Sequence, residues 1–128
     1  MMTEAELWHM QLPAGENTFA GMDNVVTVIF AYLATAYFVG PKLSRFQAAL
    51  ATVFFAVVAS VFSLYAFTEL KRAVHFMHEL TVNYGVTAML PNDAIVTVGG
   101  VVLALLIPAC VYFMYEVRKK AKRAATPD

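Results

Sequence analysis

His75, His78 and Glu79 come nearest to chemistry in this 128-residue chain. Side chains three and four positions apart share one face of a helix, so His75 with His78 or Glu79 could offer two metal ligands, with His9 as a third. The order His-x-x-His-Glu differs from the His-Glu-x-x-His pair of zinc proteases. It also lacks the repeated Glu-x-x-His of di-iron bundles. The competing reading makes the three residues the solvated face of an amphipathic helix, and no metal or other cofactor is expected. Glu69 is the other ionisable candidate near the hydrocarbon; with Arg72 one turn away, it reads as a boundary ion pair. Cys110 is the only cysteine, which excludes an intrachain disulfide, and its apolar surroundings point to packing. There is no glycine-rich phosphate loop, no Ser-His-Asp arrangement and no histidine inside an apolar span to hold a buried haem. The expected function is non-enzymatic.

The elements that carry these residues follow from composition and periodicity. The chain is 60% hydrophobic and 14% charged, with a mean hydropathy of +0.64. So short a soluble domain could not bury that much apolar surface. The reading is all-α: a single membrane domain, residues 1–128, of three transmembrane helices spanning about 18–39, 46–70 and 93–117. Each matches the ~20 apolar residues that cross a ~30 Å hydrocarbon core. The amino-terminal residues 1–17 read as a short acidic lead, either an interfacial segment around Trp8 or a frayed end, and Asn17 reads as the cap of the first span. Without a basic start, the lead does not look like a cleavable signal. Gly40-Pro41 ends the first span, and the short turn makes the first two spans an antiparallel hairpin.

The second helix is the long one. From residue 46 to 84 no breaker interrupts it, and Gly85 stands where a left-handed cap would end it. It should therefore run beyond the membrane on the outer side as an amphipathic extension, residues 70–84. Val74, Met77 and Leu80 form its apolar face, expected to dock on a neighbour or on the membrane surface. Within the span, Ala48, Thr52, Ala56, Ala59, Ser60, Ser63 and Ala66 make a small-residue stripe. In lipid, helices associate by close van der Waals approach, which small side chains permit. Ala56, Ala59 and Ser63, with Gly100 and Ala104 of the third span, are the expected helix-packing interface, either within the chain or between copies. Asn92 reads as the cap of the third span, and Pro108 removes a helical bond to the Ala104 carbonyl, so a kink is expected.

Charge sets the orientation. Lys42 and Arg45 share a side with Arg118, Lys119, Lys120, Lys122 and Arg123 of the tail, residues 118–128, against Lys71 and Arg72 on the other. The positive-inside rule puts the carboxyl terminus in the cytoplasm and the amino terminus outside. The five basic tail residues should bind anionic lipid headgroups rather than nucleic acid.

The stretch Ala36-Tyr37-Phe38-Val39-Gly40-Pro41-Lys42-Leu43-Ser44-Arg45-Phe46-Gln47 resembles a group of small three-span proteins of bacterial inner membranes. The resemblance covers the first hairpin and brings no catalytic residues. It implies a multi-pass protein of the bacterial inner (cytoplasmic) membrane. The topology is also similar to that of class I phage holins, from which the long outward helix departs. The expected role is association, as a homo-oligomer or as an accessory subunit of a larger membrane complex. The alternatives are a holin-like pore using Thr27, Thr35, Thr52, Ser60 and Ser63, and a metal- or quinone-handling subunit of a membrane redox complex.

Overall fold

A computed structural model describes residues 1–87 and 93–126. Three helices account for nearly all of them: α1 (Glu4–Phe38), α2 (Arg45–Tyr84) and α3 (Asp93–Ala125), with a 3₁₀ turn, Gly40–Lys42, joining the first two. All three are long and apolar enough to cross a membrane. The fold is all-α with three spanning-length helices, and α2 is the longest at 40 residues. That is about 60 Å, twice the ~30 Å of a hydrocarbon core. Ser44 starts α2 with a capping box: the Gln47 N–H donates to Ser44 Oγ at 3.1 Å, and the Ser44 N–H donates to Gln47 Oε1 at 3.0 Å. Gly85 ends it at φ 66°, a left-handed conformation that glycine adopts without a Cβ clash. The expected cap at Asn92 lies outside the described residues.

α1 differs from expectation. Asn17 caps nothing; it lies in the middle of a helix that begins at Glu4. The cap is Thr3, whose N–H donates to Glu6 Oε2 at 2.7 Å and whose hydroxyl accepts from the Glu6 N–H at 3.3 Å. The helix runs through Pro13, which has no N–H to give to the preceding turn. The residues read as an acidic lead are thus the first half of a 35-residue helix. Packing on α2 supplies what the local sequence withholds.

α1 and α2 form an antiparallel pair along their whole length, and most tertiary contact in the fold is between them. As numbering falls on α1 it rises in step on α2, from Tyr32 stacked on Phe55, through Gly21 against Ala66, to the Tyr84 hydroxyl donating to the Met2 carbonyl at 2.7 Å. The buried positions recur at sevens. On α1 they are Leu7, Ala14 and Gly21, interleaved with Thr18, Val25 and Tyr32; on α2 they are Ala59, Ala66, Ala73 and Leu80, interleaved with Phe55 and Glu69. A seven-residue recurrence keeps one seam of each helix facing its partner. A Cβ added at Gly21 would lie 2.9 Å from the Ala66 Cβ, so the two backbones approach as closely as glycine and alanine allow.

This register shows what covers the extension of α2. Leu7 falls level with Leu80, and both are fully buried. The partner expected to be a neighbour or the membrane surface is the amino-terminal half of α1. Counted at about 1.5 Å per residue from the turn, a ~30 Å hydrocarbon slab reaches roughly Gly21 on α1, Ala66 on α2 and Val98 on α3. The remaining two-helix stalk projects about 25 Å further. Inside the slab Phe30, Phe46 and Phe54 stand more than two-thirds exposed, as side chains facing lipid do.

α3 runs parallel to α1 and is anchored at the turn end. Cys110 and Met114 join Tyr32, Ala36, Phe55 and Ala59 in a buried core cluster. Gly40 packs under Met114, whose sulfur would stand 3.2 Å from a Cβ there. Beside it, Arg118 Nη1 donates to the carbonyls of Gly40 at 3.0 Å and Leu43 at 2.9 Å. The Gly40 carbonyl also accepts the Leu43 N–H at 3.3 Å, and by bonding both turn carbonyls Arg118 ties α3 to the α1–α2 hairpin.

Three outcomes test this arrangement. Gly21→Leu or Ala66→Leu should lower stability against SDS in mixed micelles by about 1–3 kcal/mol through overpacking, whereas Val57→Leu on the exposed face should have little effect. Equal losses at both faces would remove the close-approach seam. Arg118→Ala should cost about 1–2 kcal/mol in the same titration, since charge-assisted bonds to carbonyls are lost, and Lys122→Ala should cost far less. Finally, the backbone and hydroxyl of Thr3 hold the Glu6 carboxyl below its usual 4.5. A lowered folded pKa stabilises at pH above the unfolded value and is lost as pH falls through the folded one. Amide protection in the first turn of α1 should therefore weaken below pH 4.5 in the parent and show no such step in Glu6→Gln.

Candidate functional site

A cleft of about 610 Å³ lies between α2 and α3. Its walls are apolar, with Leu64 and Phe67 on α2 and Val101, Leu103 and Ile107 on α3. Two hydroxyls, Ser60 and Ser63, interrupt the α2 wall, and Gly100 and Ala104 keep the α3 wall low. The Phe67 ring closes over Gly100, where a Cβ would meet Cε2 at 3.0 Å. The cleft runs along α3 from Thr97 to Ile107, about 15 Å, from the stalk-side boundary of the slab to near its middle.

Ser63 is the polar anomaly of this wall. Thr18, Thr27, Thr35 and Thr68 each turn their hydroxyl onto the carbonyl four residues back, at 2.8 Å. Ser63 Oγ does not; it is buried without a hydrogen-bond partner. A buried hydroxyl left unpaired costs about 1–3 kcal/mol on protein scales. One turn above Phe67, Lys71 folds back so that Nζ lies 5.6 Å from the Phe67 ring centroid. Helical Cα–Cβ bonds tilt toward the helix amino terminus, which lets the Lys71 ammonium reach back over this ring. Sequence reasoning picked out Ser63, Gly100 and Ala104 but missed Phe67 and Lys71. Their four-residue spacing was the available signal.

The expected packing interface is divided by the fold. Ala59 is fully buried in the core cluster and Ala56 is half-buried, while Ser63, Gly100 and Ala104 line the cleft. Of the outer apolar face, Leu80 is fully buried and Val74 and Met77 are half-buried. His75 and His78 are exposed and Glu79 is half-buried. Among the described residues no three His, Cys, Asp or Glu side chains gather as a metal-binding group. Glu69 is buried in the seam level with Thr18; Oε1 bonds Arg72 Nη1 at 2.8 Å, the boundary ion pair, and Oε2 is buried without a partner.

The basic residues also separate. Arg118, expected to face headgroups, is occupied by the carbonyls of Gly40 and Leu43, to which its helix delivers it. Lys119 lies 3.7 Å from Glu116 Oε1 and over the Tyr115 ring. Lys120, Lys122 and Arg123 remain exposed on the last turns of α3. Of the polar residues considered for a pore, Thr27 and Thr35 satisfy their hydroxyls within α1, and the Thr52 hydroxyl shares a bond of 2.9 Å with that of Tyr32. Comparison with protein-family models, curated proteins and solved structures finds no match to this chain.

Proposed function

We propose that this is a small, non-catalytic integral membrane protein that works by assembly, with copies of itself or as an accessory subunit of a larger complex in the bacterial inner membrane. The observation that carries the reading is the stalk. Spanning a bilayer requires about 20 residues per helix, yet α1 and α2 keep their seam for about 25 Å more. Outside the slab this projection bears exposed apolar side chains, Leu12 at 58% and Val82 at 66%. A rigid, partly apolar projection suits a protein surface better than water. The basic asymmetry, with Lys120, Lys122 and Arg123 exposed at the opposite end, supports an outward stalk and a cytoplasmic carboxyl terminus held at anionic headgroups.

Extraction in a mild detergent followed by light scattering should give a protein mass above that of one chain, and Leu12→Glu with Val82→Glu should lower it. A single-chain mass for the parent under these conditions would end the proposal. For orientation, single cysteines at Thr3 and Thr126 in a Cys110→Ala background should react with an impermeant thiol reagent on intact cells at position 3 alone. Reaction at 126 alone would invert the topology.

A further inference from the structure

We infer that copies of this chain join head to tail, the outer face of α1 on one copy against the outer face of α2 on the next, with an ion pair between Glu16 and Lys71 just outside the hydrocarbon. The inference rests on the assembly reading and commits its partner to a second copy.

The charges of the stalk are sorted by helix. α1 carries Glu4, Glu6, Glu16 and Asp23 and no lysine or arginine, whereas Lys71 and Arg72 stand on α2. Arg72 is held by Glu69, but among the described residues neither Glu16 nor Lys71 forms an ion pair within the chain. Both are exposed. Each also points away from the seam. Glu16 lies midway between the buried positions Ala14 and Thr18, and Lys71 midway between Glu69 and Ala73. A residue two places from each of two seam positions projects on the opposite side of its helix. Glu16 and Lys71 therefore stand on opposite outer faces of the stalk and do not meet within one chain.

Height selects the partner. Gly21 faces Ala66; Glu16 lies five positions above the first and Lys71 five above the second, so the two stand level, about 8 Å beyond the hydrocarbon boundary. Copies that share an orientation in one membrane are related by rotation about its normal, which preserves height. An acid and a base at one height on opposite faces then meet wherever copies stand side by side, and a contact of this kind that repeats about the normal closes into a ring. A two-fold contact between identical faces would instead set Glu16 against Glu16 or Lys71 against Lys71. Deeper in the membrane the same two faces stay apolar: Phe30 falls level with Val57, and Tyr37 with Leu50, all exposed. Asp23, level with Leu64, lies within about 3 Å of the boundary, where its carboxylate reaches water. A different protein could pair with either charge but would not need both at one height.

The test uses the full chain in a mild detergent at low ionic strength, with the protein mass read by light scattering. Glu16→Lys and Lys71→Glu should each weaken assembly at least about tenfold, because each sets like charges together at every contact. Co-expression of the two variants should restore the parent mass, since each then offers the other an opposite charge at both faces. In a Cys110→Ala background, Glu16→Cys and Lys71→Cys on separately tagged chains should cross-link to each other on oxidation, and neither to its own kind. Parent mass in both single variants would overturn the head-to-tail contact and leave the assembly reading standing. So would failure of co-expression to restore the mass, which would make a different protein the partner, or cross-linking of Glu16→Cys to itself, which would make the contact two-fold. A single-chain mass for the parent would instead remove the assembly reading and this inference with it.

Discussion

Gly21 meets Ala66 with no room for one more carbon, and the rest of the molecule depends on that approach. Between lipid-facing helices, burial of apolar surface contributes little, because lipid tails are as apolar as leucine. Stability must come from contact, and contact grows as backbones approach. Ala14, Gly21, Ala59, Ala66 and Ala73 remove the bulk that would hold the axes apart. Once the helices lie this close, their seven-residue recurrence carries the seam past the slab without a change of register. The same interface continues in register to Leu7 and Leu80, both fully buried.

The third helix obeys a different rule. It is fastened at the turn end, by Met114 over Gly40 and by Arg118 on the turn carbonyls, and meets α2 again where Phe67 lies against Gly100. An arginine at the membrane boundary could have reached for headgroups. It bonds the carbonyls of Gly40 and Leu43 instead, the first of which also accepts the Leu43 N–H. The cleft lies farther along the same two helices, with Phe67 against Gly100 in its wall.

Among the described residues, two buried polar atoms lack a hydrogen-bond partner, Ser63 Oγ and Glu69 Oε2. They differ in kind. Glu69 shares its charge with Arg72 through the other oxygen, in a seam that has no room for a further group. Ser63 lines the 610 Å³ cleft with other atoms, while its Oγ is buried.

Much of the fold was legible in the residues themselves. Runs of apolar residues of bilayer length determine three spans, because no backbone other than a helix satisfies its own hydrogen bonds in lipid within one segment. Gly85 and the uninterrupted run before it determine the length of α2. The patterns Thr3-x-x-Glu6 and Ser44-x-x-Gln47 also mark the true helix starts, so the placement of a cap at Asn17 overlooked a signal that was present. What only tertiary structure decided was which surfaces meet. Leu7 and Leu80 lie 73 positions apart in the sequence, and neither half-helix alone shows that the other will cover it. The division of one small-residue stripe between a core and a cleft is likewise invisible locally. Ala59 and Ser63 sit one turn apart on the same helix, and only the packing of the three helices makes one a core contact and the other part of a cleft wall.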